Sequence, residues 1–209
     1  MVFHLTDHPV FPDPALADKD GLLAVGGDLS SERLVMAYQH GIFPWYSEGE
    51  PILWYSPHER FVIFPDEVIT SHSMRQLIKS EKYNMTWDKA FTQVITHCSK
   101  VKRKGQRGTW INDDMIGAYI RLHEGGIAHS VEVWDGDKLI GGLYGVAVGK
   151  VFCGESMFSL APNASKLALI SLCQDRGYRL IDCQLYTPHL ESMGGRLIDR
   201  AMYDSFQKY

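Results

Sequence analysis

The most restrictive feature of this sequence is residues 129–158, where apolar, β-branched and aromatic side chains fill three successive segments broken only by turn chemistry. Residues 129–134, 138–148 and 150–158 are strand formers, and Asp135-Gly136-Asp137 and Gly149 supply what tight hairpins require. Segments joined so closely pair with their neighbours as an antiparallel meander. A helix over residues 164–176 follows, Gly177 ends it, and a short apolar strand returns over residues 180–185. Strands, helix and returning strand predict an α/β (α+β) fold, a mixed and largely antiparallel sheet flanked by helices.

Upstream, helix starts are marked by small polar residues ahead of apolar stripes. Ser30 or Ser31 precedes Leu34, Val35 and Tyr38, with Gly41 as the stop; Ser71 precedes Met74, Leu77 and Ile78. Asp88 is expected to cap a helix carrying Phe91, Val94, Ile95 and Cys98, and Asn112 or Asp113 one carrying Met115, Ile116, Tyr119 and Ile120 up to Gly125-Gly126. Residues 61–64 read as a strand. Residues 21–30 read as a loop entering a helix, and residues 42–57 are so broken by proline that their aromatics belong on loops or short edge strands. The change of character near residue 60 predicts a small N-terminal domain, 1–60, and a larger domain, 61–209.

At 209 residues and 45% hydrophobic composition the chain buries a core without covalent staples. No apolar run approaches the roughly 20 residues of a membrane span, and the first residues show neither a basic start nor an apolar stretch, so a cytoplasmic location is expected. Cys98, Cys153, Cys173 and Cys183 lack Cys-x-x-Cys spacing and suit reduced, buried thiols, and no histidine pair has metal-ligand spacing; no metal site is expected.

A net charge of −4 speaks against nucleic acid, but charge is unevenly spread. Lys100, Lys102, Arg103, Lys104 and Arg107 form a basic run without an acid, which fits a solvated loop or a phosphate contact. Trp45 and Trp110 lie in irregular stretches, where an indole either pins a loop or offers a stacking surface.

Strand alternation puts Val151, Cys153, Glu155 and Met157 on one face, and Leu180, Asp182 and Gln184 on one face of theirs. Carboxylates among apolar neighbours need partners; by pattern alone Glu155 and Asp182 fit a solvated face, a turn cap or a functional pair. Leu143, Met157, Leu169 and Leu172 fit a core or the lining of an apolar pocket. Gly154-Glu155-Ser156 lacks the flanking pattern of a nucleophile elbow.

Several uncommon strings then converge: residues 21–29 (GLLAVGGDL), 41–45 (GIFPW), 108–111 (GTWI), 152–158 (FCGESMF), 163–166 (NASK) and 180–184 (LIDCQ). Over nearly the whole chain they resemble the bacterial leucyl/phenylalanyl-tRNA–protein transferases. The resemblance implies a catalytic domain of the acetyltransferase-like (GNAT-type) superfold with a small N-terminal domain, and neither metal nor organic cofactor. It implies a monomeric, cytoplasmic aminoacyltransferase that moves Leu, Phe and, less well, Met from aminoacyl-tRNA to the N-terminal amine of proteins beginning with Arg or Lys, marking them for degradation by the N-degron pathway. Matched position by position, it implies that Asp182 and Gln184 are catalytic and that Glu155 binds the acceptor N-terminus. Leu143, Met157, Leu169 and Leu172 become the aminoacyl pocket, Trp45 and Trp110 the site of the tRNA 3′ adenosine, and Lys100, Lys102, Arg103, Lys104 and Arg107 the contacts to tRNA phosphates.

Leu143 and Leu172 depart from the Met and Phe of some relatives, which bears on donor preference. A carboxamide is a poor base, so Gln184 is expected to hold the amine by hydrogen bonding while Asp182 fixes Gln184 and offsets developing positive charge. On that reading Gln184→Glu keeps appreciable turnover. The nearest rival, an acyl-coenzyme A-dependent N-acyltransferase, wants a glycine-rich turn at a helix start, whereas residues 159–164 contain a proline and no glycine. A non-catalytic binder of tRNA ends or N-terminal peptides would not need Asp182 and Gln184 to act together.

Overall fold

The computed structural model describes residues 2–101, 109–175 and 177–207. Its N-terminal part is a four-stranded sheet of β1 (Phe3–Leu5), β2 (Leu22–Gly26), β3 (Phe43–Pro44) and β4 (Leu53–Tyr55), ordered β1-β2-β4-β3. The expected loop at residues 21–30 thus contains a strand, because Leu23 and Ala24 are buried and Ala24 and Val25 pair with both β1 and β4. β4 is not an edge strand either. It lies between β2 and β3 and carries the fully buried Trp54, whose indole N–H donates to the Gly26 carbonyl at 2.8 Å. Proline is tolerated because Pro44 sits on β3, at the sheet's edge.

A seven-stranded sheet forms the larger part: β5 (Glu59–Ile63), β6 (Asn84–Trp87), β7 (Ala128–Asp135), β8 (Lys138–Val148), β9 (Val151–Ser159), β10 (Leu180–Asp182) and β11 (Arg196–Asp199). The order is β11-β5-β10-β9-β8-β7-β6, and every pairing is antiparallel except β9 with β10. The meander β7-β8-β9 forms as its turn residues dictate, and α5 (Ala164–Asp175) makes the crossover that a parallel pair needs.

The remaining helices are α1 (Ser31–Gln39), α2 (His72–Lys79), α3 (Phe91–Ser99), α4 (Asp113–Glu124), α6 (Pro188–Glu191) and α7 (Arg200–Gln207). Ser30, Ser71 and Asn112 cap α1, α2 and α4, each accepting the backbone N–H three residues on. Asp88 does not cap α3. Its backbone turns left-handed (φ 55°) and its carboxylate goes instead to the Ser130 N–H and to His129. The buried Glu132 reaches the start of α3 from β7, accepting from Lys89 N and Ala90 N.

Side chains of α1, α3, α4 and α7 pack with the N-terminal sheet on one face of the large sheet, and α2 and α5 cover the other. The described cysteines are free thiols, and no described helix is long and apolar enough to cross a membrane.

Two irregularities break the expected alternation where it matters. Tyr144 pairs with Ser156 but Gly145 with Gly154, so Glu155 is the extra residue of a β-bulge. Gly145 is required there: a Cβ would stand 2.2 Å from the Cys153 carbonyl oxygen. The bulge reverses parity, so Val151 and Cys153 join one core while Met157 packs against the other, and the four residues expected on one face divide. The second irregularity is that β10 ends at Asp182, three residues early. Gln184 is left-handed (φ 63°) and stands on a turn beyond the strand.

Candidate active site

β9 runs on after β10 has ended, and a cleft of about 500 Å³ opens between the second half of β9 and the chain leaving β10. One wall is apolar: Leu143 from β8, Met157 from β9, Leu169 and Leu172 from one face of α5, and Ile181. Phe43, Pro44, Trp45 and Trp110 line it from the N-terminal sheet and the segment before α4, with Trp45 packed against Tyr55 at 5.9 Å between ring centroids. The pocket residues and both tryptophans named from the sequence therefore meet at one cavity. Lys100 is exposed at the C-terminal end of α3; Lys102, Arg103, Lys104 and Arg107 lie outside the described residues.

The opposite wall is polar and built on Glu155 and Gln184. The bulge turns Glu155 toward α1 and α4, where one carboxylate oxygen accepts from the Tyr38 hydroxyl at 2.7 Å and the other from the Tyr119 hydroxyl at 3.2 Å. The Gln184 side-chain amide donates to the first oxygen at 2.7 Å. A carboxylate only accepts, so this contact commits the Gln184 nitrogen and leaves its carbonyl oxygen to meet a donor. Burial pushes the Glu155 carboxyl up to about 7, even though hydrogen bonds from Tyr38, Gln184 and Tyr119 pull the other way. Burial and the Glu155 charge raise both tyrosine hydroxyls well above their ordinary range, which keeps them neutral donors.

Asp182 stands behind this wall and does not line the cleft. It is fully buried, one oxygen accepting the Gln184 backbone N–H at 2.8 Å and the other the Tyr203 hydroxyl at 2.8 Å, while Arg60 bridges both. The expectation that Asp182 and Gln184 project side by side from one strand face is therefore corrected: Asp182 holds the Gln184 main chain, and Glu155 holds its side chain. Asp182 also has its charge matched by a buried guanidinium. Burial acts against the Arg60 cation, but the Asp182 charge outweighs it and the pKa of Arg60 lies above the ordinary value.

Arg60, Tyr203 and the Tyr38–Tyr119 pair were not singled out from the sequence as site residues. A signal for Arg60 existed: a carboxylate in the apolar strand of Asp182 demands a buried cation, and Arg60 is the charge beside Phe61 and Val62. Tyr38 and Tyr119 fit apolar helix stripes, and only their hydroxyls, which seek partners when buried, hint at more. His189 of α6 also lines the cleft; its Nε2 is buried without a hydrogen-bond partner among the described residues. The described residues contain no His, Cys, Asp or Glu cluster able to hold a metal ion.

Comparison with known proteins gives this arrangement a context. The sequence profile of the leucyl/phenylalanyl-tRNA protein transferase family matches residues 62–208, and that of the family's N-terminal domain matches residues 27–58. Relatives named leucyl/phenylalanyl-tRNA–protein transferase include one from Flavobacterium johnsoniae, 51% identical over 210 residues and covering 99% of each chain. Another, from Flavobacterium psychrophilum, is 53% identical over 208 residues, 98% of this chain and 97% of its own. A third, from Syntrophus aciditrophicus, is 56% identical over 197 residues, 93% and 82%. Among solved structures, a GCN5-related N-acetyltransferase from Kribbella flavida superposes with a TM-score of 0.40 at 9% identity, covering 85% of this chain and 66% of that one.

Proposed function

The chain belongs to the leucyl/phenylalanyl-tRNA–protein transferase family, and on that premise we propose how its cleft transfers an aminoacyl group. It is an aminoacyltransferase acting between aminoacyl-tRNA and protein. In our reading the donors are Leu, Phe and, less well, Met, the acceptor is the α-amine of a protein beginning with Arg or Lys, and the product enters the N-degron pathway in the cytoplasm. The observation that carries this reading is one cleft in which an apolar wall of Leu143, Met157, Leu169 and Leu172 faces the Glu155–Gln184 pair.

The donor is an activated ester, so positioning does most of the work and is worth up to roughly 7 to 11 kcal/mol. The donor side chain docks on the apolar wall, and the terminal adenine stacks on Trp45 and Trp110. The basic run from Lys100 to Arg107 meets acceptor-stem phosphates. An α-amine has a pKa near 8, so about a tenth is neutral at pH 7 without assistance. The Gln184 carbonyl oxygen accepts one amine N–H and aims the nitrogen lone pair at the ester carbonyl carbon. Nitrogen attacks, the C–O bond to the ribose breaks, and the surplus amine proton leaves to water or to the departing ribose oxygen.

Glu155 keeps one lone-pair direction beyond its three hydrogen bonds, and its ionised form, which a cationic Arg or Lys acceptor draws out against the cost of burial, favours such an acceptor over a neutral one. The division into domains near residue 60 belongs to the same proposal. The test is incubation with leucyl-, phenylalanyl- or methionyl-tRNA and an Arg-led peptide. A peptide mass gain of one Leu or Phe residue, and a slower gain of one Met residue, is expected, with an Ala-led peptide left unmodified; no gain with any charged tRNA would overturn the reading.

A further inference from the structure

We propose that Tyr203 and Arg60 are positioning residues for the transfer, acting on Gln184 through Asp182, so that α7 helps to set the site without touching substrate. The inference rests on the reading of Gln184 as the residue that holds the amine.

Gln184 occupies a conformation that its surroundings must impose. The Leu185 N–H bonds back to the Cys183 carbonyl at 2.7 Å across Gln184 at φ 63°, a γ-turn of the uncommon hand. A non-glycine residue persists there only when neighbouring contacts over-determine it. Three contacts do so. The Cys183 N–H donates to Phe61 O at 2.8 Å, the Phe61 N–H to Gln184 O at 3.3 Å, and the Gln184 N–H to the Asp182 carboxylate at 2.8 Å.

That carboxylate is itself held from behind. Tyr203 donates to its second oxygen at 2.8 Å, and Arg60 grips both oxygens while giving its remaining nitrogen to the Gly41 carbonyl at 2.7 Å. The guanidinium carbon lies 5.0 Å from the centroid of the Phe43 ring and 4.7 Å from that of Tyr203, so it has little freedom to turn. Gly41 (φ 68°) admits Tyr203 closely, since a Cβ there would lie 2.8 Å from the tyrosine ring.

The other hold on Gln184 also leads to α7. Gln207 donates to the Tyr38 backbone carbonyl at 2.9 Å and to the Tyr203 hydroxyl at 3.3 Å, and Tyr38 is the residue whose hydroxyl fixes Glu155. Backbone and side chain of Gln184 are thus tied, by separate routes, to one helix. Neither Tyr203 nor Arg60 lines the cleft, so weakening this frame misaims the amine without removing a substrate contact. The expected signature is a change in kcat with little change in KM.

The deciding experiment is steady-state transfer from phenylalanyl-tRNA to an Arg-led peptide by the full-length wild type, Tyr203→Phe and Gln207→Ala, with melting temperatures for each. Tyr203→Phe keeps the ring against Arg60 and removes only the hydroxyl. It should lower kcat about tenfold at unchanged KM for both substrates, with a smaller fall in the same direction for Gln207→Ala. If Tyr203→Phe proves unfolded at the assay temperature, Gln207→Ala decides: a kcat fall supports the inference and an unchanged kcat overturns it. Wild-type kcat in folded Tyr203→Phe, or a defect confined to KM, would overturn this inference alone. Absence of transfer by the wild type would overturn the functional reading and this inference with it.

Discussion

The two walls of the cleft are made by different means. The apolar wall is core that happens to be open: Leu143, Leu169 and Leu172 are each almost fully buried and sit where strand and helix periodicity puts them. The polar wall depends on exceptions. It needs a bulge to deliver Glu155, a left-handed turn to deliver Gln184, and a buried ion pair behind them. Binding a greasy side chain asks little of a fold that already makes a core, whereas holding two polar groups in register inside one requires local irregularity with a dedicated frame.

The difference predicts unequal responses to substitution. The largest belongs to Asp182→Ala, which leaves the Arg60 cation buried and unpaired; a loss of about 3 to 5 kcal/mol in urea unfolding is expected, with loss of transfer. Retention of wild-type stability would show that the polar wall needs no such frame. Next is Gln184→Glu, which sets a second carboxylate where the amide now lies 2.7 Å from Glu155. Two carboxylates so close do not both ionise, so turnover at pH 7 should fall on the order of 100-fold while tRNA affinity holds. This reverses the expectation from sequence alone, which had no means of seeing the Glu155 contact.

A smaller effect comes with pH. Burial raises Glu155 from 4.5 to about 7, so the folded state holds its proton more tightly than the unfolded state does. The stability tied to this group is present in full below pH 4.5 and lost as pH rises through 7. Melting temperatures of wild type and Glu155→Gln should therefore differ in slope between pH 4.5 and 7, the variant lacking this downward component. Parallel curves would show that Glu155 is not buried in this way. The mildest change falls on the apolar wall. Leu172→Phe should fill the pocket and shift the kcat/KM ratio of phenylalanyl- to leucyl-tRNA about tenfold toward Leu, with transfer otherwise preserved.

The same contrast explains what the sequence disclosed. The meander and the helix starts at Ser30 or Ser31, Ser71, and Asn112 or Asp113 follow from periodicity and local chemistry and were legible, whereas the apolar residues of the pocket read by pattern alone as core or pocket and were set apart only by the family resemblance. Asp88 was misread because a polar residue before an apolar stripe looks like a cap wherever its side chain goes. The bulge at Glu155 leaves no mark in residues 151–158, and the early end of β10 leaves none in residues 180–184, because the geometry is set by the neighbouring strands. Arg60 lies 122 residues from Asp182, and their pairing requires β5 to stand beside β10, which local pattern does not encode.

The proposed transfer requires one cleft to seat the donor side chain on its apolar wall while Gln184, held by Glu155 from the opposite side, aims the amine. It is tested most directly by a co-crystal structure with a phenylalanyl-adenosine analogue in which a 3′-amide replaces the ester. The phenyl ring is expected against Leu143, Met157, Leu169 and Leu172, the adenine against Trp45 and Trp110, and the carbonyl carbon within about 4 Å of the space facing the Gln184 oxygen. A phenyl ring seated instead in the smaller cavity of about 240 Å³ between α2 and α5, or with its carbonyl remote from Gln184, would contradict it.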